Sequence, residues 1–515
     1  MERVRLNLDS LVPACTFLVL LAIGLLLFRD YGMSWDEEQS RTNGMVSAKY
    51  VLSFVAPDLI TGELRGVPDL ADYRDKDYGV GFELPAYAGE RLLGLSTTQS
   101  IYFYRHFLTY LVFIAGVMAT YGIATRRHQS WQAGLLAASL LYLSPRIFAD
   151  GFYNTKDIVF MAAMALAAYT MLRHVSRPNF ATATLHAAAT AWALDIRVMA
   201  VLIVPATAFF LILEAWKDRS KALYFALLFV SFALAIFAIH VMTFPFLWGN
   251  PISHFMDVFR VMSDFSRWQG VEFYFGYYVD GAKLPWHYLP VWIAITTPPL
   301  VLFLFLIGVF RVRNGWDVVI TGLALAPVAA VITLHSVQYD GWRHLYFIYP
   351  FMVLTGVNAA LWIWSKIRGR IAAATLLAVG AGHFIFIITW MASAHPYQNV
   401  YFNMLAGRDP RQNFEMDYWG LANRAALEYI LRTDPAPSIS VAPASLTPLE
   451  NSLLMLTEEQ KARIHVVRDF NVSAYILTNY KWVDDLDDAR FKSQDLYYHT
   501  DIDGMRILSV YHKKD

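Results

Sequence analysis

Long runs of apolar residues, separated by short polar segments, follow one another between residues 11 and 391. A helix needs about 20 consecutive apolar residues to cross the hydrocarbon core of a bilayer. The pattern therefore predicts a multi-pass membrane protein with about eleven spanning helices. The first run has no small-residue cleavage site after it, which indicates a retained anchor rather than a signal peptide. We place the spans approximately at residues 11–28, 101–124, 131–147, 158–172, 183–195, 198–215, 222–246, 286–310, 317–335, 345–365 and 371–391.

The compact basic segments all fall on one side of these spans. Loops rich in Lys and Arg stay in the cytoplasm. We therefore predict a cytoplasmic N-terminus, and an odd number of spans then places the C-terminus outside. The basic segments follow every second crossing, at residues 126–128, 173–174, 217–219, 311–313 and 366–370.

Two of the predicted spans, 183–195 and 198–215, are short and have no real loop between them. Only the polar sequence Asp195-Ile196-Arg197 separates the two runs. We expect a tight re-entrant corner near the outer membrane face. The alternative is one long tilted helix with its charged pair buried against neighbouring helices.

The tail from Ala392 contains no spanning run. An amphipathic helix is predicted at Leu421–Arg432, and strands are predicted at Ile439–Val441, Ile464–Val467, Ala474–Leu477 and Ile507–Tyr511. The predicted fold class is thus an all-α polytopic membrane domain at 1–391, with a large extracytoplasmic loop at 30–100, followed by a small α/β extracytoplasmic domain at 392–515. That domain either covers the functional cavity, helps to select a substrate, or only adds stability.

Composition narrows the class of protein. Of the 515 residues, 57% are hydrophobic and only 16% are charged, whereas roughly 25% are charged in soluble domains. Forty-two basic residues balance forty-two acidic ones, so nucleic-acid binding, which needs a basic excess, is not expected. The single cysteine, Cys15, excludes an intramolecular disulfide and a cysteine-based metal site.

Acidic residues begin the first predicted outer segment and recur in the second. Asp36 and Glu37 directly follow the first span, and Asp150 and Asp157 lie between the third and fourth spans. Carboxylates this close to hydrocarbon are costly unless they are functional or solvated. The structural alternatives are a hydrated loop for the first pair and, for Asp157, a favourable charge at a helix N-terminus that Asn154 or Thr155 caps.

Cationic side chains are predicted on the same outer face. A single interfacial Arg often only extends toward lipid headgroups. Several cations together with several carboxylates indicate instead a polar cavity at the outer membrane edge, suited to a phosphate and a hydroxyl group that must be activated. The cations are Arg146, Lys156, Arg197, Lys283, His287, Arg343 and His344, of which the last two closely follow Asp340.

Several motifs occur in an order that is similar to a known family. They are Trp35-Asp36-Glu37, the segment 144–160, Pro285–Tyr288 with Thr296–Pro299, Tyr339–His344 with Tyr349-Pro350, and His395–Asn403 with Asp417–Gly420. In these motifs the chain resembles family 39 of the membrane glycosyltransferases of the GT-C fold, which includes protein O-mannosyltransferases and bacterial lipid A aminoarabinose transferases. The resemblance extends over nearly the whole chain.

The resemblance implies an enzyme of the bacterial inner membrane. Such an enzyme transfers a sugar from a polyprenyl-phosphate-linked donor to a glycolipid, polysaccharide or protein acceptor outside the cytoplasm. It also implies that Asp36 is the catalytic base and that Asp157, with Asp150 as the nearby alternative, is the functional acid that opens the fourth span. Some members bind a divalent metal near these acids and others need none, so a metal is the one possible cofactor.

These residue types suit that reaction. A carboxylate such as Asp36 can take the proton of an acceptor hydroxyl, with Glu37 and Asp157 orienting the acceptor or tuning the base. The leaving phosphate needs a preorganised cation, for which Arg343 comes first because its guanidinium can bind phosphate in a bidentate manner. One base without a second nucleophile implies direct displacement with inversion. Further candidates for substrate binding are Lys156, Arg197, Asp150, His344, His287, Arg146, Lys283 and Asp340.

Two other classes of function compete with an enzyme. Polar residues within membrane helices also mark the paths of transporters and flippases for polyprenyl-linked sugars or other lipids. Here the charges are predicted at one membrane face rather than at the midplane, and no inverted repeat is evident. A non-catalytic scaffold leaves the convergent charges unexplained. No glycine-rich phosphate loop follows a predicted strand, which disfavours a nucleotide-sugar donor.

Overall fold

The computed structural model describes residues 8–263, 267–481 and 494–513. Among these residues, eight helical segments are long and apolar enough to cross a membrane, and a ninth is added if one bent helix pair counts as a single span. The predicted multi-pass membrane architecture is confirmed, while the count of about eleven spans stays a prediction. The eight segments are Asp9–Leu27, Thr98–His128, Asp157–Ser176, Val198–Lys217, Arg219–Thr243, Gly315–Thr333, Arg343–Lys366 and Arg370–Ser393.

Seventeen α-helices lie within the described residues up to Ser393. They are α1 (Leu8–Leu27), α2 (Glu37–Val55), α3 (Glu63–Gly66), α4 (Glu83–Leu92), α5 (Thr98–His128), α6 (Trp131–Tyr142), α7 (Pro145–Tyr153), α8 (Asp157–Ser176), α9 (Phe180–Leu194), α10 (Ile203–Lys217), α11 (Ala222–Thr243), α12 (Pro251–Ser263), α13 (Tyr288–Thr296), α14 (Pro299–Val309), α15 (Gly315–Thr333), α16 (Tyr349–Lys366) and α17 (Arg370–Ser393).

Prolines divide two of the predicted spans. The run at 131–147 becomes α6 and α7, which meet at 73° just before Pro145. The run at 286–310 becomes α13 and α14, which are separated by Thr297 and Pro298. Proline lacks a backbone N–H and clashes with the preceding helical turn, so a helix tends to end before it.

The predicted corner between 183–195 and 198–215 is present as two helices. α9 ends at Leu194, and a short 3₁₀ turn at Val198–Leu202 leads into α10. The Nε2 atom of His186 in α9 lies 2.8 Å from the Oγ1 atom of Thr207 in α10, in a buried contact. Because the two residues lie on opposite sides of the turn, the helices fold back on each other and do not form one long helix.

Burial separates an inner group of helices from an outer one. The most apolar stretch of α8 is 78% buried, whereas that of α17 is only 6% buried. An apolar helix with so little of its surface covered by protein fits contact with lipid. α8 also packs closely on α5, because Gly116 faces Ala162 at a position where a Cβ atom would lie 2.7 Å from the Ala162 Cα atom. Small residues permit such close approach between membrane helices.

The first outer segment, between α1 and α5, is folded and tied to α5. The Arg105 side chain of α5 is completely buried and forms ion pairs with Glu83 and, at 2.8 Å, with Glu90. Glu90 also pairs with Arg41 of α2 at 2.8 Å. A buried ion pair of this kind fixes geometry because breaking it leaves an uncompensated charge. The segment that begins with Asp36 is therefore held firmly above the membrane helices.

A small α/β unit follows α17, as predicted from the tail. Its helix α18 (Ala422–Thr433) matches the predicted amphipathic helix, and its five-stranded sheet contains the four predicted strands. The predicted boundary between 391 and 392 lies close to the end of α17 and stays a prediction. The remaining elements are α19 (Leu449–Leu453), α20 (Glu458–Arg463), β3 (Ile439–Pro443), β4 (Ile464–Val466), β5 (Tyr475–Thr478), β6 (Gln494–Ile502) and β7 (Met505–Lys513), preceded in the chain by the hairpin strands β1 (Val271–Tyr274) and β2 (Tyr277–Asp280).

The strand order in this sheet is β4-β3-β5-β7-β6. β3 is parallel to β4 and β5, and β7 is antiparallel to β5 and β6. Two side chains at the start of α5, Thr98 and Gln99, donate to the carbonyls of Leu454 and Met455, each at 2.8 Å. These bonds attach the unit to the membrane helices on the side where Asp36 lies.

Candidate active site

Three carboxylates converge on the guanidinium of Arg343. Its Nη1 atom lies 3.1 Å from Asp36 Oδ2 and 3.1 Å from Asp157 Oδ2. Its Nη2 atom lies 3.1 Å from Asp340 Oδ2. We call these four residues the Arg343 cluster. Three of its members come from distant parts of the chain, so the structure brings together the acids and the arginine that the sequence predicted on one face.

Local structure positions each member of this cluster. Asp36 directly precedes α2, and Asp157 is the first residue of α8. Lys156, rather than the predicted Asn154 or Thr155, directly precedes this helix, but the backbone N–H of Asp157 donates to Asn154 Oδ1 at 2.8 Å. Asp340 and Gly341 both adopt positive φ angles, of 54° and 75°. Aspartate and glycine tolerate this conformation, and the resulting sharp turn places Asp340 against Arg343.

Asp36 is the carboxylate of the cluster that opens most toward solvent. Its side chain is 32% exposed, whereas that of Asp157 is 1% and that of Arg343 is 2% exposed. Asp36 lines a cleft of about 720 Å³, together with Trp35, Glu38, Gln39, Thr42, Arg74, Asp75, Arg267, Trp268, Tyr339, Pro448 and Asn451. A substrate in the cleft can therefore reach Asp36 without any movement of Asp157.

The charges around Asp36 keep it ionised. Burial alone would raise the pKa of this carboxyl, but the positive charges of Lys156 and Arg343 outweigh burial and lower the pKa below its ordinary value. Burial lowers the pKa of Lys156, and the neighbouring Asp36 opposes that change. At neutral pH, Asp36 is thus an anion that can accept a proton.

Lys156 and Arg197 lie beside Asp157. Arg197 forms an ion pair with Asp157. The Lys156 Nζ atom lies 4.8 Å from the ring centroid of Tyr78, at a distance typical of a cation–π contact. Lys156, Arg197 and Tyr78 also line a small cavity of about 20 Å³. Two of the predicted phosphate-binding cations are thus placed next to the Arg343 cluster.

Glu37 and Asp150 point away from the cleft. Glu37 is buried, accepts the backbone N–H of Ser34 at 2.7 Å and lies 2.9 Å from His106 Nε2. Asp150 is buried too, and one of its oxygens accepts from Trp419 Nε1 at 3.0 Å and from Asn154 Nδ2 at 3.1 Å. Glu37 and Asp150 could therefore influence a substrate in the cleft only indirectly, through the residues that they contact.

The other predicted substrate-binding residues are more dispersed. Arg146 is buried and donates to the Tyr401 carbonyl at 2.9 Å. His287 lies 2.7 Å from the Tyr274 hydroxyl, and Lys283 is 82% exposed. The ring centroid of His344 lies 4.5 Å from that of Tyr339, a residue of the cleft wall. Of these four, His344 is thus in contact with a residue of the cleft wall.

A second charged group lies behind Asp340 and was not predicted. The Lys481 Nζ atom is 2.7 Å from Asp340 Oδ1 and 2.6 Å from Glu415 Oε2. Glu272 Oε2 accepts the Asp340 N–H at 3.0 Å. We call Glu272, Asp340, Glu415 and Lys481 the Lys481 cluster. Sequence reasoning missed it because single charges scattered along the chain carry no periodic signal.

The Lys481 cluster does not fit a metal ion as it is arranged. One oxygen from each of its three carboxylates lies within 4.8 Å of the others, a spacing that could suit a metal. However, the Lys481 ammonium already contacts two of these carboxylates and compensates their charge. A divalent ion would have to displace it. The predicted metal near the acidic loops therefore stays a prediction, and no step of the chemistry is derived through one.

Comparison with known proteins adds a family match. Residues 92–242 match the family described as dolichyl-phosphate-mannose-protein mannosyltransferase. No curated protein sequence matches the chain. A solved structure, ArnT from Cupriavidus metallidurans bound to undecaprenyl phosphate, is similar at 14% sequence identity, with a TM-score of 0.49, over 96% of this chain and 97% of that chain.

The family match includes Lys156, Asp157 and Arg197, while Asp36 and Arg343 lie outside it. It covers α5 to α10 and nearly all of α11, including α8, which begins at Asp157. The matched family consists of glycosyltransferases. Over residues 92–242, this match agrees with the resemblance to membrane glycosyltransferases that the sequence motifs predict.

Proposed function

We propose that this chain is an integral membrane glycosyltransferase that moves a sugar from a polyprenyl-phosphate-linked donor to a hydroxyl group of an extracytoplasmic acceptor. The acceptor is a glycolipid, a polysaccharide or a protein side chain. Asp36 is the general base, and the reaction inverts the configuration of the anomeric carbon. In this proposal the chain resides in a bacterial inner membrane, with its N-terminus in the cytoplasm and the Arg343 cluster on the outer side.

The observation that carries the proposal is the position of Asp36. Its carboxylate is partly exposed at the wall of a cleft large enough for a sugar, and two cations hold it ionised. A general base must be ionised and must reach the proton it removes. Among the three acids of the Arg343 cluster, Asp36 meets both conditions best.

The chemistry follows from this placement. The acceptor hydroxyl attacks the anomeric carbon while its proton passes to an Asp36 oxygen. A new carbon–oxygen bond forms on one face of the sugar, and the bond to the phosphate oxygen breaks on the other, so the configuration inverts. The anomeric carbon becomes cation-like in between, and the nearby carboxylates stabilise that charge.

The leaving polyprenyl phosphate carries away negative charge and needs cations close to the breaking bond. Arg343 is our first candidate because it contacts Asp36 itself, and Lys156 and Arg197 flank the same position. Arg343 is also engaged by three carboxylates. Its second role is therefore to hold Asp36 and Asp157 at a fixed separation.

A lipid-linked donor agrees with the position of the site and with the matched family, whose described donor is dolichyl-phosphate mannose. The cluster lies where α8 begins, at one end of the membrane helices. A donor with a long apolar chain stays in the bilayer beside this site, because each buried methylene adds about 0.8 kcal/mol to partitioning. Nucleotide sugars lack such an anchor.

The test is reconstitution of the purified full chain in lipid with a panel of polyprenyl-phosphate sugars and the matching nucleotide sugars. We expect turnover with at least one lipid-linked donor and none with nucleotide sugars. The product of an α-linked donor should be β-linked, and the reverse, as read by NMR of the anomeric proton. Turnover of a nucleotide sugar without polyprenyl phosphate would disprove the donor class, and a retained anomer would disprove direct displacement.

A further inference from the structure

A second cleft, of about 670 Å³, opens at the far end of the membrane helices from Asp36. Asp317 is the one carboxylate among the described residues that line it. This wall is therefore strongly cationic, although the chain as a whole carries no net charge. The basic side chains that line the cleft are Arg126, Arg127, Arg311, Arg313 and Lys366.

The helices fix the distance between the two clefts. α8 begins at Asp157 in the Arg343 cluster and ends at Ser176, which lines the second cleft. Its 20 residues span about 29 Å at the helical rise of 1.5 Å per residue. That length is close to the hydrocarbon thickness of a bilayer, about 30 Å. The second cleft consequently lies at the opposite membrane surface from Asp36.

The one carboxylate of the cleft is already paired with other protein groups. Asp317 forms an ion pair with Arg127, and it also accepts from Asn358 Nδ2 and from the backbone N–H of Arg313, both at 2.9 Å. The other four basic side chains therefore have no second carboxylate to pair with among the described residues that line the cleft. Such a concentration of positive charge attracts anions to the cleft.

Arg311 presents, at the wall of this cleft, a donor group that is unpaired among the described residues. Its guanidinium carbon lies 4.3 Å from the ring centroid of Trp362, so the aromatic ring fixes the orientation of the side chain. The Nε atom of Arg311 is buried and has no hydrogen-bond partner among the described residues. A buried donor without an acceptor is costly. An anion in the cleft is the natural partner for a guanidinium held in this way.

Retention of basic loops in the cytoplasm does not explain this arrangement. Arg368 and Arg370 are exposed and lie outside the cleft. These two residues already supply the basic charge that keeps their loop in the cytoplasm. The cleft instead collects basic side chains from three separate parts of the chain, namely the end of α5, the segment between α14 and α15, and the end of α16. Topology signals need no such convergence.

We propose that this cleft binds the phosphate group of an anionic membrane lipid. Arginine presents a planar fork of N–H donors that matches phosphate oxygens. The apolar side chains of Leu172 and Leu361 and the rings of Trp316 and Trp362 also line the cleft and can contact the glycerol and acyl parts of a lipid. Basic pockets between membrane helices bind lipid headgroups in this manner. The site is separate from the proposed transfer reaction and does not depend on it.

The experiment uses the purified full chain in a neutral detergent, with bound lipid counted by native mass spectrometry. The probes are dioleoyl phosphatidic acid, dioleoyl phosphatidylglycerol, dioleoyl phosphatidylcholine and inorganic phosphate. We expect one saturable site for the two anionic lipids, at least tenfold tighter than for phosphatidylcholine. Inorganic phosphate should fail to displace them at equal concentration. Displacement at equal concentration would show a site for free anions and overturn the lipid assignment.

Variants separate a specific site from general attraction to the charged surface. The cleft variant Arg311→Gln/Arg313→Gln/Lys366→Gln should bind the anionic lipids roughly 100-fold more weakly, because each basic residue near an anionic headgroup contributes roughly fivefold. The matched variant Arg219→Gln/Arg368→Gln/Arg370→Gln removes three exposed charges elsewhere on the chain and should bind like the wild type.

Equal weakening in both triple variants would overturn the proposal, because it would show non-specific attraction. If the cleft variant does not fold, the single variant Arg313→Gln replaces it. This side chain has no described ion pair, and its loss should weaken binding roughly fivefold. Unchanged lipid binding by a folded Arg313→Gln together with a folded Arg311→Gln would also overturn the proposal.

Discussion

The Arg343 cluster and the Lys481 cluster are built from the same parts but differ in their access to solvent. Each has three carboxylates around one buried cation, and Asp340 belongs to both. In the Arg343 cluster, Asp36 reaches the cleft and nearby cations lower its pKa. In the Lys481 cluster, burial, with like charge from Glu415, raises the pKa of Glu272. Access and charge balance, rather than the number of acids, therefore distinguish the two clusters.

The largest expected effect concerns Asp36 in the Arg343 cluster. Asp36→Asn keeps the shape of the side chain but cannot accept a proton, so turnover should fall roughly 100- to 10,000-fold. The measurement is transfer from a polyprenyl-phosphate sugar by the reconstituted enzyme. Asp58→Asn, at an exposed carboxylate of the same outer segment, is the matched control and should behave like the wild type. Near-normal turnover by folded Asp36→Asn would remove Asp36 from the role of base.

The second-largest expected effect concerns Arg343, the cation of the Arg343 cluster. Arg343→Ala should lower turnover roughly 100- to 1,000-fold, as loss of a preorganised charge-stabilising donor does. Arg343→Lys should lie between this variant and the wild type, because an ammonium cannot contact three carboxylates with the geometry of a guanidinium. Donor binding is measured in parallel by equilibrium titration. If both variants keep wild-type turnover and donor affinity, Lys156 or Arg197, rather than Arg343, stabilises the leaving phosphate.

A substitution in the Lys481 cluster should mainly change the stability of the protein. Lys481→Met leaves buried carboxylates without their cation and should reduce the free energy of unfolding by about 3–5 kcal/mol. Turnover of the protein that remains folded should fall less than tenfold. Thermal unfolding in detergent measures the first effect, with exposed Lys513→Met as the control. The double variant Lys481→Met/Glu415→Gln should recover part of the loss, and a full loss of turnover at unchanged stability would place Lys481 in the chemistry instead.

The smallest effect is a shift in pH dependence. Lys156 lowers the pKa of Asp36, so Lys156→Gln should raise that pKa. A base works only when ionised, and its activity is lost as the pH falls through its pKa. The acidic limb of kcat/KM should therefore move to higher pH in Lys156→Gln and stay in place in the distant control Lys217→Gln. An unmoved limb in both variants would show that the limb does not report on Asp36.

Sequence reasoning succeeded where residues carry a repeated or ordered signal. Apolar runs marked the helices, and the basic segments placed Asp36, Asp157 and Arg343 on one face before any contact was known. The structure joins these three residues directly. The order of the motifs also predicted the family to which residues 92–242 match.

Other features depend on contacts that the sequence does not encode locally. Lys481, Glu272 and Glu415 are isolated charges in segments without apolar periodicity, and only the folded chain brings them to Asp340. The cleft wall likewise uses Arg267 and Trp268, which no motif includes. Strand β6 escaped prediction because its alternation is weak, with only Ile502 fully buried at its end.

The wall of the Asp36 cleft contains Pro448 and Asn451, and the Asn451 side-chain amide donates to the Trp35 carbonyl at 3.2 Å. Trp35 leaves the ribosome early, whereas its partner leaves after all the candidate membrane helices. Translation thus completes the cleft only after the bilayer has received those helices. A nascent chain that ends before residue 448 lacks Pro448 and Asn451 from the wall of the Asp36 cleft, and it also lacks Lys481, the partner of Asp340.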